Sequence, residues 1–166
     1  MSPESTANFV NTHPAEMSEP GLAESLRTVR EVHRSQPLTL EIHESAVSDL
    51  QSMNSLKNVL EELDIQLAYD DFGSGQARLV ELIEIRPDYL KFDISLVHNI
   101  DGASAQHQQM VASLVRMVRD LGVVPLAEGI ETEEEYEVCR EIGFELAQGY
   151  YFGRPAPAIA CGPEAR

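Results

Sequence analysis

The sequence predicts an α/β fold built on one parallel sheet, a (β/α) barrel or a doubly wound sheet, and three observations carry that expectation. Short apolar strands alternate with helix-patterned segments along the chain, and strands separated by helices in this way must run parallel. Six such strands end on a carboxylate, amide or amine: Asn11, Glu41, Asp70 with Asp71, Lys91 with Asp93, Glu128 and Gln148. Polar groups at the C-terminal ends of successive parallel strands open onto one face, which is where barrels build active sites. Finally, no GxGxxG follows any strand, which lowers the dinucleotide-binding form of the doubly wound sheet.

Each element has a local cause. Phe9, Val10 and Asn11 read as the first strand. After the turn at Pro20 and Gly21, Leu22, Leu26, Val29 and Val32 recur at helical spacing and predict a helix over 19–34. Pro37 stops the connection, and 38–42 is the next strand. Ser48 or Asp49 is placed to cap a helix carrying Leu50, Met53, Leu56, Leu60 and Leu63, ahead of a strand over 65–69. A shorter helix runs from Gly75 to about 85, Pro87 breaks it, and 89–92 follows as a strand. Met110, Leu114, Val115, Val118 and Leu121 share one face of a long helix over 105–121. Gly122 ends that helix, and the apolar run 123–127 suits a strand buried on both faces. Thr132 and Glu135 form a capping box for a helix through 142, Gly143 closes it, and 144–147 is the last strand. The tail is rich in Gly and Pro and is expected to fray beyond Pro157. The tally is six strands and five helices.

A chain of 166 residues with 43% hydrophobic content can bury a core as one domain, whereas a complete eight-stranded barrel takes about 250 residues. The formal net charge of −16 argues against nucleic acid or an anionic membrane as partner, because both call for clustered Lys and Arg. A phosphate ester substrate would need a cation between it and this protein, and carboxylate clusters recruit such cations. Cys139 and Cys161 are far from CxxC spacing and read as reduced structural thiols. No apolar run approaches a membrane span of roughly 18 residues, and the start lacks the basic and apolar regions of a signal peptide. A cytoplasmic location is therefore expected.

Glu41, Asp70, Asp71 and Glu128 are hard oxygen ligands, to which Asn11 and Gln148 add neutral carbonyl oxygens. Such a set suits magnesium or manganese better than zinc. The histidines at 13, 33, 43, 98 and 107 show no ligand spacing and are given no chemical role. Alternate strand residues face opposite ways, so Asp70 and Asp71 can serve one site only where the strand ends and the chain turns, as the following PheGlySerGly allows. A carboxylate bridging two ions, with its neighbour on one of them, is the geometry of two-metal phosphodiester hydrolysis. The bland alternative is a strand-to-helix loop with a capping aspartate. Lys91 lies two residues before Asp93 on the same strand face. Aimed into a carboxylate-rich mouth it would stay protonated, able to orient a water or to stabilise charge on phosphate. A surface lysine at a strand end is the alternative.

GluIleHisGlu (41–44), AspAspPheGlySerGly (70–75), LysPheAsp (91–93), GluGlyIleGluThr (128–132) and GlnGlyTyrTyrPheGly (148–153) resemble, in order and spacing, the motifs of the EAL-domain family of bacterial cyclic di-GMP phosphodiesterases. AsnPheValAsnThrHisPro (8–14) resembles the motif that precedes them, so the likeness runs from Asn8 to Pro155. It implies Asn11, Glu41 and Asp70 as ligands of one metal, and Asp70, Asp71 and Glu128 as ligands of a second, the ions being Mg2+ or Mn2+. It further implies that Lys91 orients the water with Asp93 and Glu131 in support, and that Gln148 holds the water or the metal shell. Glu44 would anchor the loop 72–75 through its backbone or Ser74. That loop and the helix after Asp71 would form a homodimer interface, with no DNA or RNA partner and no membrane contact.

Two departures from the family pattern stand out. GlnAlaArg at 76–78 replaces the TyrSer residues of many relatives, and the GluAlaLeu tripeptide is missing together with about the first two βα units. The resemblance therefore implies an incomplete TIM-type barrel with about six of eight strands. Residues 1–157 would be the C-terminal two-thirds of the domain, and 158–166 a flexible tail. The implied activity is metal-dependent hydrolysis of cyclic di-GMP to linear pGpG, impaired in a chain lacking those units. The alternative is an inactive EAL-like module that binds cyclic di-GMP or a protein partner. An aldolase using Lys91 as a Schiff base finds little support, and a two-carboxylate glycosidase leaves Asn11, Lys91 and the doubled aspartate unexplained.

Overall fold

A computed structural model of the chain describes residues 8–13, 16, 21–32, 34–43, 50–75 and 79–155. Glu44, the cap at Ser48 or Asp49, His33, residues 76–78, Cys161 and the tail beyond Pro157 lie outside the described residues.

Six strands form one sheet in strictly sequential order: β1 (Asn8–Thr12), β2 (Leu38–His43), β3 (Gln66–Phe72), β4 (Tyr89–Phe92), β5 (Val124–Ala127) and β6 (Leu146–Ala147). Every neighbouring pair is parallel. A doubly wound sheet reverses its strand order at a switch point, and this sheet never does. The architecture is therefore an open half-barrel, in which β1 and β6 each pair on one side only among the described residues. The apolar strands β2 and β4 are buried almost throughout, as central parallel strands are.

The helices are α1 (Leu22–Val32), α2 (Leu50–Glu62), α3 (Leu79–Glu84), α4 (Ile94–Val97), α5 (Ala105–Asp120) and α6 (Glu133–Ile142). One more helix is present than the periodicity predicts, because α4 is a single four-residue turn. Asp93 caps it, its Oδ1 accepting from the Ser95 N–H at 3.0 Å. A 3-10 turn at Ile100–Gly102 follows. The core unites Leu40, Ile42, Leu90, Phe92, Val111 and Val118 between sheet and helices. Phe92 meets the rings of Phe72 and Phe144 edge-on at 5.2 and 5.0 Å. Phe144, expected to begin the last strand, is spent on this packing, and β6 shrinks to two residues.

The capping box of α6 is present and does more than cap. Glu135 is 2% exposed. Its Oε1 accepts from the Asn99 N–H at 2.7 Å and its Oε2 from the Glu131 N–H at 2.8 Å, so one carboxylate ties α6 to the loops after α4 and β5. Cys139 is a free, buried thiol pushed up to about 12 by burial and by the charge of Glu135, which leaves it inert. Among the described residues no helix is long and apolar enough to cross a membrane.

Candidate metal centre

Parallel register brings the strand ends level, pairing Asn11 with Glu41, His43 with Asp70 and Phe92 with Ala127. The side chains of Glu41 and Lys91 are buried on adjacent parts of the sheet. Lys91 Nζ lies 2.5 Å from Glu41 Oε1, 2.9 Å from Asp70 Oδ1 and 2.7 Å from Glu128 Oε1. The Phe9 ring, 5.8 Å away, closes the site toward β1. Burial disfavours the charged form of Lys91. The hydrogen bonds to Glu128, Glu41 and Asp70 outweigh it, so the ammonium is held above the ordinary lysine range.

Asp70 and Asp71 both reach the site for a reason the sequence half discloses. β3 does not end at the aspartates but runs on to Phe72. Its register against β4 shifts between Tyr69 and Phe72, and Asp71 takes the left-handed conformation at φ 59°. That irregularity breaks the strict alternation of side chains. Ligand oxygens of Asp70, Asp71 and Glu128 then lie within 4.8 Å of one another. Burial pushes the Glu128 carboxyl up to about 7, and the charges of Asp70 and Asp71 add to this against the pull of Lys91.

The donor set fits a hard divalent cation. The carboxylates of Glu41, Asp70 and Glu128 face Lys91, Asp71 lies beside Asp70 and Glu128, and all four offer hard oxygen donors.

The other expected residues take varied places. Gln148 Nε2 donates to Glu128 Oε1 at 2.5 Å. Asn11 stands beside Glu41 in register, with its side chain exposed. Asp93 and Glu131, expected to support Lys91, make no ion pair with it: Asp93 caps α4, and Glu131 is engaged through its backbone N–H to Glu135. Ser74 closes the turn after β3 through its N–H to the Asp71 carbonyl at 3.1 Å. Of these side chains, Glu41, Asp70, Asp71, Lys91, Glu128 and Gln148 are brought together. A residue given no role also belongs here. His43 Nε2 lies 3.1 Å from Asp71 Oδ2, and its position two residues beyond Glu41, on the same strand face, was the available signal.

Comparison with known proteins bears on this constellation. The EAL domain family matches residues 2–155. Cyclic di-GMP phosphodiesterase PdeF of Escherichia coli (strain K12) is 36% identical over 123 residues, covering 74% of this chain and 16% of that protein. The structure described as PaMucR phosphodiesterase in complex with c-di-GMP superposes with a TM-score of 0.80 at 29% identity, over 92% of this chain and 63% of that one. The manganese/cy-diGMP complex of Klebsiella pneumoniae BlrP1 at pH 9.0 gives a TM-score of 0.80 at 32% identity, over 89% of this chain and 38% of that one. The chain thus spans only part of each relative, and it belongs to the EAL domain family.

Proposed function

We propose that this chain carries the metal centre of a cytoplasmic cyclic di-GMP phosphodiesterase, which opens one 3′–5′ phosphodiester to give linear pGpG. The observation that carries the reading is the cluster of Asp70, Asp71 and Glu128 oxygens within 4.8 Å of one another, beside a buried lysine that stays charged. The related MucR and BlrP1 structures hold cyclic di-GMP, with manganese or calcium in the latter, which supports both the ligand and divalent-cation use.

In the finer reading two ions, Mg2+ or Mn2+, are held by Asn11, Glu41 and Asp70 on one side and by Asp70, Asp71 and Glu128 on the other. Such a pair supplies Lewis acidity toward the phosphate and lowers the pKa of water. Lys91 orients the attacking water and stabilises negative charge developing on phosphate. Gln148 Nε2 donates to Glu128 Oε1 and so would hold that carboxylate, or the water shell of the ion, in place. Asp93 contributes at one remove by fixing α4 directly after the Lys91 strand. Residues 1–157 are read as the later part of a domain that needs two βα units ahead of β1. Turnover by the chain alone is then slow, and the loop and helix after Asp71 form a homodimer interface.

The test is product analysis with cyclic di-GMP and Mn2+, on this chain and on a longer one that adds two βα units ahead of β1. Linear pGpG should form faster with the longer chain and fall to background on Asp70→Asn. Product formation that survives Asp70→Asn would remove the site assignment, and ligand binding without turnover in the longer chain would mark a binding module.

A further inference from the structure

The geometry points to His43 as a positioning residue of the metal centre: its imidazole fixes the Asp71 carboxylate in the pose that leaves one oxygen for a divalent cation. This rests on the reading of Asp70, Asp71 and Glu128 as a cation site. His43 Nε2 lies 3.1 Å from Asp71 Oδ2. Nε2 stands at ion-pair distance from Oδ2, and because an ionised carboxylate only accepts hydrogen bonds, an Nε2–H is what can restrain it.

Asp71 needs such a restraint. Its side chain is 37% exposed, its backbone sits at φ 59°, and among the described residues its carboxylate has no other hydrogen-bond or ion-pair partner. Asp70 and Glu128 lie close enough to repel it, and Lys91 is paired with those two and with Glu41 rather than with Asp71. Left alone, the carboxylate would turn toward water and away from the other two. His43 prevents this from the neighbouring strand, where it pairs in register with Asp70.

Partners of this kind, which orient a ligand without touching the metal, change affinity by roughly 10–100-fold when removed. The experiment titrates Mn2+ against the chain, reading free Mn2+ by electron paramagnetic resonance, for wild type, His43→Leu, His43→Gln and Asp70→Asn. His43→Leu should weaken binding by about tenfold or more. His43→Gln, whose amide N–H reaches a similar point, should recover most of that loss. Metal-free melting temperatures of the two His43 variants should match, which separates positioning from folding. Undiminished binding by His43→Leu, with binding lost in Asp70→Asn, overturns the role of His43 alone. Equal weakening by Leu and Gln also overturns it, since the imidazole itself would then be required as a ligand. Equal binding by wild type and Asp70→Asn overturns the cation site, and this inference with it.

Discussion

At Lys91 a single buried ammonium answers three carboxylates. Removing one partner from a buried ion cluster costs about 3–5 kcal/mol, so Lys91→Met should lower metal-free stability by that order in urea unfolding. Saturating Mn2+ should return most of the loss, because it replaces the missing positive charge. Unchanged stability would mean that the carboxylates relax without a counter-ion. Glu135 is the opposite case. Burial disfavours its charge, but the backbone N–H groups of Glu131, Asn99 and Thr132 and the charge of His98 outweigh burial and hold its carboxyl below the ordinary 4.5. Its ionised form therefore stabilises the fold above pH 4.5, and that contribution is lost as the pH falls through the lowered value. Glu135→Gln should cost about 2 kcal/mol at neutral pH. The gap to wild type should narrow on acidification; a gap of constant size in pH-resolved unfolding would contradict the assignment. Lys91 and the acids at strand ends were legible from position alone, since a polar residue closing an apolar strand has few other uses. His43 was not assigned a role, because the histidines share no ligand spacing, although its place two residues beyond Glu41 set it on the same strand face. Nor was the Asn99 contact of Glu135 legible, since it bridges 36 residues of sequence.

Just after β6 the decisive residue is Gly149. At φ 153° a Cβ there would meet the Ile130 carbonyl oxygen at 2.1 Å and its nitrogen at 2.3 Å. The close approach is fixed by the Ile130 N–H bonding to the Gln148 carbonyl and the Tyr151 N–H bonding to the Ile130 carbonyl, both at 3.0 Å. These bonds clamp the strand end bearing Gln148 against the loop that bears Glu128. Gly149→Ala should cost about 3 kcal/mol by overpacking in thermal unfolding, and it should also part Gln148 from Glu128. A variant as stable as wild type would mean that the clamp is soft. Among the elements, strand and helix positions followed from apolar periodicity wherever a segment was long enough to show one. α4 and the 3-10 turn were too short for any period, and β3 ran three residues past its expected end at 69, because the doubled aspartate before PheGlySerGly reads in sequence as a turn.

The half-barrel leaves β1 and β6 with a row of backbone groups unpaired among the described residues, and Val10 on β1 is 40% exposed. Open strand edges template further pairing. The chain should therefore self-associate in sedimentation velocity at raised concentration, and a longer chain supplying two βα units should stay dispersed. A well-behaved monomer at all concentrations would show that the edges are covered. The parallel, barrel-like sheet could be anticipated from alternation alone, and the purely sequential strand order then excluded the doubly wound form. That order has one more effect. Each βα unit touches chiefly its sequence neighbours, as in a solenoid, so the sheet behaves as a one-dimensional array whose members lean on the units beside them. Opening in such an array starts at its ends. Amide exchange should accordingly be fastest in β1 and β6 and slowest in β3 and β4. Asn11 and Gln148 ride on the fraying ends, while Lys91 and Asp70 belong to the interior pair. The ionic heart of the site outlasts its rim, and the residues at that rim are the last to assemble.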